Sequence, residues 1–165
     1  MAGSPKKSLA LDANLLLDLA EERDFAHEFR EEFQDRGYTL AVPPTALAEL
    51  DVLALGGGPD QRRFANIALE KLHSWGCQPF ALSSTCLAIA AQFGLRLLDL
   101  RLLPETEVND GKILAQTSLV AIPLLVTSDR HLLDIEDEAL LLAFNEADLI
   151  PVHPVHPKGL LRALR

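Results

Sequence analysis

The chain has 165 residues, 48% of them hydrophobic, and its 15 Lys and Arg against 24 Asp and Glu leave a net charge of −9. A chain this long with a mean hydropathy of +0.14 is not intrinsically disordered, and it needs no disulfide or structural metal to complete a core. The acidity argues against nucleic-acid binding by bulk positive charge, and the longest apolar run, Leu119–Val126, is broken by Pro123 and falls far short of the roughly 20 residues of a membrane span.

Lys6 and Lys7 precede an apolar stretch, as in a secretory signal, but Asp12 and Asp18 interrupt it and no small-residue cleavage site follows. Cys77 and Cys86 make no disulfide framework, so a cytoplasmic chain is expected. Ser8–Leu11 reads as a short buried strand ending at Asp12, followed by a helix over Asn14–Ala20. A second helix is predicted over Glu21–Arg36. Phe25, Phe29 and Phe33 recur along it at i, i+4 and i+8, as a core stripe or, alternatively, a dimer or partner face. Gly37 stops it.

Tyr38–Val42 is the next strand, and Pro43-Pro44 suits a strand end and the first turn of a helix over Thr45–Leu55. Gly56-Gly57-Gly58-Pro59 reads as a flexible loop; it lacks the Gly-Lys-Ser/Thr ending of a phosphate-binding loop. A helix over Gln61–Ser74 follows, with Phe64, Ile67, Ala68 and Leu72 inward, then a strand over Cys77–Leu82 weakened by Pro79. Ser83 or Ser84 caps a helix running to Gly94, Leu95–Leu103 fits helix or strand, and Asn109–Ala121 is helical. Leu124–Thr127 is a buried strand, and a last one is expected near Leu149–Val152. Strands alternating with helices imply an α/β fold, a three-layer α/β/α sandwich around a central parallel sheet. Without repeats or linkers, residues 1–165 are expected to form one domain.

In an open parallel sheet, ligands bind outside the carboxyl ends of the strands. Asp12 and Asp129 each follow a predicted strand. Asp110 opens the helix before the second of those strands, and Glu49 lies one turn into the helix after Tyr38–Val42. Singly, Asp12 and Asp110 could cap helices, Glu49 could be solvated, and Asp129 could be a turn residue. Together, four converging carboxylates repel unless a cation neutralises them, and oxygen-only donors suit Mg²⁺ or Mn²⁺. Such an ion lowers the pKa of bound water and offsets charge on phosphorus.

The ordered segments Leu9-Ala10-Leu11-Asp12-Ala13-Asn14, Pro44-Thr45-Ala46-Leu47-Ala48-Glu49-Leu50, Asn109-Asp110-Gly111-Lys112-Ile113-Leu114-Ala115 and Val126-Thr127-Ser128-Asp129-Arg130 resemble the four motifs of PIN domains, the ribonuclease family that includes VapC-type toxins of toxin–antitoxin pairs. The resemblance runs from Leu9 to about Pro154 and leaves a His/Pro-containing tail. It implies a compact α/β/α sandwich that hydrolyses phosphodiesters in single-stranded or loop RNA with one or two Mg²⁺ or Mn²⁺ ions. Position by position it makes Asp12, Glu49, Asp110 and Asp129 the catalytic, metal-holding quartet. Asn14 and Thr127 or Ser128 become supporting polar residues.

Among the basic residues Arg62, Arg63, Lys71, Lys112 and Arg130, we expect Lys112 and Arg130 to meet the RNA, because they neighbour the proposed ligands. Asp134, five residues past Asp129, reads as a surface residue rather than an accessory acid. His153 and His156 lack the further Cys or His partners of a metal site. The partners so implied are RNA, an antitoxin protein if the chain is a toxin rather than a housekeeping nuclease, and a second copy of the chain. The alternative from another class is a catalytically inert PIN-like scaffold binding RNA or protein. A third reading, a phospho-accepting receiver domain, is disfavoured, because the paired acids after the first strand and the Lys after the last are missing.

Overall fold

The computed structural model describes residues 7–165; Lys6, part of the charged flank noted above, lies outside the described residues. The chain order is β1 (Ser8–Leu11), α1 (Ala13–Ala20), α2 (Asp24–Asp35), β2 (Thr39–Val42), α3 (Pro44–Gly56), α4 (Pro59–Lys71), β3 (Cys77–Pro79) and α5 (Ser84–Asp99). A 3₁₀ turn, Glu105–Glu107, leads into α6 (Val108–Leu119), β4 (Leu124–Val126), α7 (Arg130–Leu133), α8 (Asp137–Glu146), β5 (His153–Val155) and α9 (Pro157–Ala163). The five strands form one sheet in the order β3-β2-β1-β4-β5, and every pairing is parallel. As in other all-parallel sheets, the central strands are apolar on both faces: Leu9, Ala10, Leu11, Leu40, Val42, Leu125 and Val126 are all buried under the flanking helices. Among the described residues, no helix is long and apolar enough to cross a membrane.

The aromatic stripe of α2 is core. Phe29 and Phe33 are buried, their rings 5.1 Å apart, and Phe33 meets Tyr38 edge-on at 5.2 Å. Arg23 is the N-cap of α2, so a turn at Glu21–Arg23 separates the first two helices where a longer second helix was expected. Glu22 turns there at φ 60°.

Three further expectations need correction. The flexible loop expected over Gly56–Pro59 shrinks to Gly57 and Gly58, because α3 continues through Gly56 and α4 starts at Pro59, with the Gly58 amide held by Gln61. The helix capped by Ser83 does not stop at Gly94 but runs to Asp99, which resolves Leu95–Asp99 as helix and leaves Leu100–Leu103 as a turn. Gly94 is a contact point: a Cβ on Gly111 of α6 would sit 2.6 Å from the Gly94 Cα, so these two glycines let α5 and α6 pack backbone to backbone. The last strand lies at His153–Val155 rather than Leu149–Val152. His153 N donates to Pro123 O and Thr127 N donates to Val155 O, while Pro154, between them, needs no donor on the open side.

Candidate active site

Parallel pairing of β1 with β4 brings their carboxyl ends together, and the acids follow from that. The Asp12 amide donates to Val126 O at 3.0 Å, extending the β1–β4 ladder by one residue. Its side chain then caps α1, with Oδ1 accepting from Ala13 N at 2.8 Å. Oδ2 accepts from the Thr127 hydroxyl at 2.8 Å, and the same hydroxyl accepts from the Asp129 amide at 3.0 Å. One buried threonine therefore fixes both acids relative to each other. Asp129 caps α7 by accepting from His131 N at 2.9 Å.

Asp110 reaches the same point from the first turn of α6. Carboxylate oxygens of Asp12, Asp110 and Asp129 all lie within 4.8 Å of one another. Asp12 is 2% exposed and Asp110 4%. Asp110 Oδ2 is buried without a hydrogen-bond partner, and so is Oε1 of Glu49 on α3. Glu49 stands outside the tight triad but close enough to feel Asp12, Glu107 and Asp129.

Crowding and burial oppose ionisation. Burial, set against the Thr127 hydrogen bond, pushes Asp12 up to about 6. Burial and then the charge of Asp12 push Glu49 up to about 7. Asp110 is driven far above the usual carboxylate range, first by burial and then by Asp12 and Asp129, whose carboxyl is near enough to share its proton. Orphaned buried oxygens on a group of repelling acids are what a bound cation satisfies, and oxygen donors alone suit a hard divalent ion. The triad could hold a metal ion.

Asn14 is half-buried in the first turn of α1, while the hydrogen bonds that Asp12 accepts come from Ala13 and Thr127. Ser128 donates to Asp18 at 2.8 Å instead of to a member of the triad. Lys112 lines a cavity of about 370 Å³ between α3 and α6 together with Glu49, Asn109 and Val52. Arg130 is exposed at the start of α7, and Asp134 is exposed at its C-cap, outside the triad.

Two residues that sequence reasoning missed belong to this neighbourhood. Glu107, ahead of α6, raises Glu49 and Asp110 electrostatically and lies 3.9 Å from His131 Nε2. Asp18, held by Ser128, is itself raised, chiefly by burial. Its only sequence signal was the i, i+4 spacing from Asn14.

No family model matches the chain, and no curated protein does either. Solved structures do. A VapBC2 complex from Rickettsia felis bound to a DNA fragment from its promoter contains a chain that is 15% identical, with a TM-score of 0.60. The match covers 90% of this chain and 98% of that one. For VapBC-1 from nontypeable Haemophilus influenzae the values are 14% identity, a TM-score of 0.56, and 92% and 98% coverage. A chain of a FitAB complex bound to an IR36 DNA fragment matches at 17% identity and a TM-score of 0.50, covering 90% and 94%. Likeness at such identities establishes the fold: an α/β sandwich with an all-parallel five-stranded sheet, PIN-like.

Proposed function

We propose that the protein is a divalent-metal-dependent endoribonuclease that hydrolyses phosphodiester bonds in single-stranded or loop RNA, and that it is the toxin component of a toxin–antitoxin pair. The observation that carries the nuclease reading is the convergence of Asp12, Asp110 and Asp129 at the carboxyl edge of a PIN-like sheet, with a buried, unpartnered oxygen on Asp110. Support for the toxin role comes from the VapBC and FitAB complexes, toxin–antitoxin assemblies whose toxin subunits are PIN-domain proteins. An antitoxin would be the protein partner.

In this reading Asp12, Asp110 and Asp129 hold one or two Mg²⁺ or Mn²⁺ ions, with Glu49 as the fourth acid. The bound ion supplies a water of lowered pKa and offsets charge on the phosphate. The chain's own residues do the positioning. Thr127 fixes Asp12 against Asp129, and the Ala13 amide holds the second Asp12 oxygen, so the ligands are set before substrate arrives. Glu49, raised to about 7, can exchange a proton near neutral pH, as a general base or acid must. Lys112 on α6 and Arg130 on α7 would counter backbone phosphates.

Purified protein should cut single-stranded RNA in Mg²⁺ or Mn²⁺ and stop in EDTA, and Asp12→Asn should abolish cutting with its circular dichroism spectrum intact. RNA that is bound but never cut with either ion would favour an inert scaffold instead.

A further inference from the structure

A second polar feature lies outside the acidic cluster. Between α2 and α9 runs a groove of about 520 Å³ whose walls include Arg23, Phe25, Lys158, Arg162 and Arg165. Two carboxylates, Asp24 and Glu28, share it with these four cations. In a chain of net charge −9 this is a local reversal of sign, and no Asp or Glu occurs anywhere from Leu149 to Arg165. Two of the cations are engaged, Arg23 with Glu21 at 3.1 Å and Arg165 with Glu28 at 3.6 Å. Among the described residues, Lys158 and Arg162 have no carboxylate within 4.0 Å. Lys158 Nζ rests 5.2 Å from the centroid of the Phe25 ring, whose neighbour is the His156 ring at 5.5 Å.

The groove adjoins the sheet edge that carries the acids through Phe25, whose ring neighbours that of His156. Val155 O accepts from Thr127 N at 3.0 Å, so His156, which caps α9, sits one strand over from Thr127 and Asp129. Between the two regions lies Asp18, bonded by Ser128 and acting electrostatically on His156. A polyanion approaching Asp12, Glu49, Asp110 and Asp129 meets repulsion, which only nearby cations can offset. Lys112 and Arg130 do so on the α6 and α7 side. On the β5 side the first unpaired cations are Lys158 and Arg162.

We propose that the α2–α9 groove binds the sugar-phosphate backbone of single-stranded nucleic acid, holding a segment that flanks the nucleotides at the acidic cluster. That the bound strand is RNA rests on the ribonuclease reading; the groove's affinity for phosphates does not. Each phosphate neutralised on a single strand contributes about −0.7 to the slope of log affinity against log salt.

The test uses the full chain in EDTA, a fluorescein-labelled 20-nucleotide single-stranded RNA and fluorescence anisotropy from 50 to 300 mM salt. Lys158→Gln/Arg162→Gln should weaken binding about tenfold and flatten the salt slope by about 1.4, two phosphates' worth. In Mg²⁺ the same variant should raise KM with kcat unchanged. Both side chains are exposed, and a circular dichroism spectrum matching the parent's checks the fold. The unmodified protein gives a second, independent reading: a slope shallower than about −1.4 overturns the proposal. So does a variant with unchanged affinity and slope, whatever its cleavage rate. A fluorescein-labelled decaglutamate peptide that loses affinity in the variant while RNA does not would reassign the groove to an acidic protein segment. Groove-dependent RNA binding without cleavage in any metal would sink the nuclease reading alone.

Discussion

Asp110→Asn separates the cost of the acidic cluster from its use. The amide keeps the shape of the carboxyl group, so α6 retains its packing while a buried acid that the fold holds protonated gives way to a neutral group at a site that is 4% exposed. In the parent, Asp110 Oδ2 has no hydrogen-bond partner, and burial, Asp12 and Asp129 all resist its ionisation. The new amide group can donate to Asp129 without first taking up a proton. A buried polar group left unpaired costs about 1–3 kcal/mol. Without metal at pH 7.5, the variant should therefore be more stable than the parent by about that amount, or about 2–12 °C in Tm at this chain length. Mn²⁺ should close or reverse that gap. Binding to the native state alone at about 100 times Kd adds about 2.7 kcal/mol, or about 5–11 °C, and the variant, lacking one ligand, should gain a small part of that. Thermal unfolding followed by circular dichroism in EDTA and in Mn²⁺ gives the four values needed. A variant no more stable than the parent in EDTA, or one that keeps the full Mn²⁺ shift, would refute the reasoning.

The raised acids also set a pH dependence. Because Asp12 titrates near 6 and Glu49 near 7 in the fold, the native state binds more protons than the unfolded chain between about pH 4 and 7. Metal-free Tm should fall as pH rises through that window, while the Mn²⁺ shift should grow, since only ionised acids bind the metal; a Tm in EDTA that rises from pH 5 to 8 would contradict this. Asp129→Ala should lower the cleavage rate by more than about a hundredfold, whereas Asp134→Ala should stay within about tenfold, near 1.4 kcal/mol. Equal, severe losses would put Asp134 in the site. Gly111→Ala should drive a methyl into the Gly94 Cα and part α5 from α6, costing about 1–3 kcal/mol in a urea titration; an unchanged midpoint would show that the helices yield freely.

The sequence announced the acids where a buried strand led into an Asp, at once for Asp12 and after Thr127-Ser128 for Asp129. Ser8–Leu11 and Leu124–Val126 are uninterrupted apolar runs except for Ser8, so Asp12 and Asp129 had to emerge at one edge once the strands paired in parallel. Asp110 was legible as a first-turn residue, but its burial was not, because that depends on the close passage of α6 across α5 at Gly94 and Gly111. The same contact explains why Gly94 read as a helix stop: composition records the missing side chain but not the neighbouring backbone that fills its place. The final strand was misplaced for a related reason. His153-Pro154-Val155 has poor strand composition and forms one only because His153 and Val155 face β4. The cationic groove escaped notice because its residues come from α2 and α9, far apart in sequence and joined only by packing.

The outermost strands carry a further consequence. β3 and β5 are each three residues long, and each contains a proline, Pro79 and Pro154. Sheets with open flanks can grow by accepting a strand from another molecule, the route to runaway fibre-like stacking. Here both flanks are blunted, since a proline offers no amide hydrogen to an incoming strand and three residues give it little to grip. Any assembly this chain enters, with a second copy or with an antitoxin, is therefore steered away from strand addition and onto its helices.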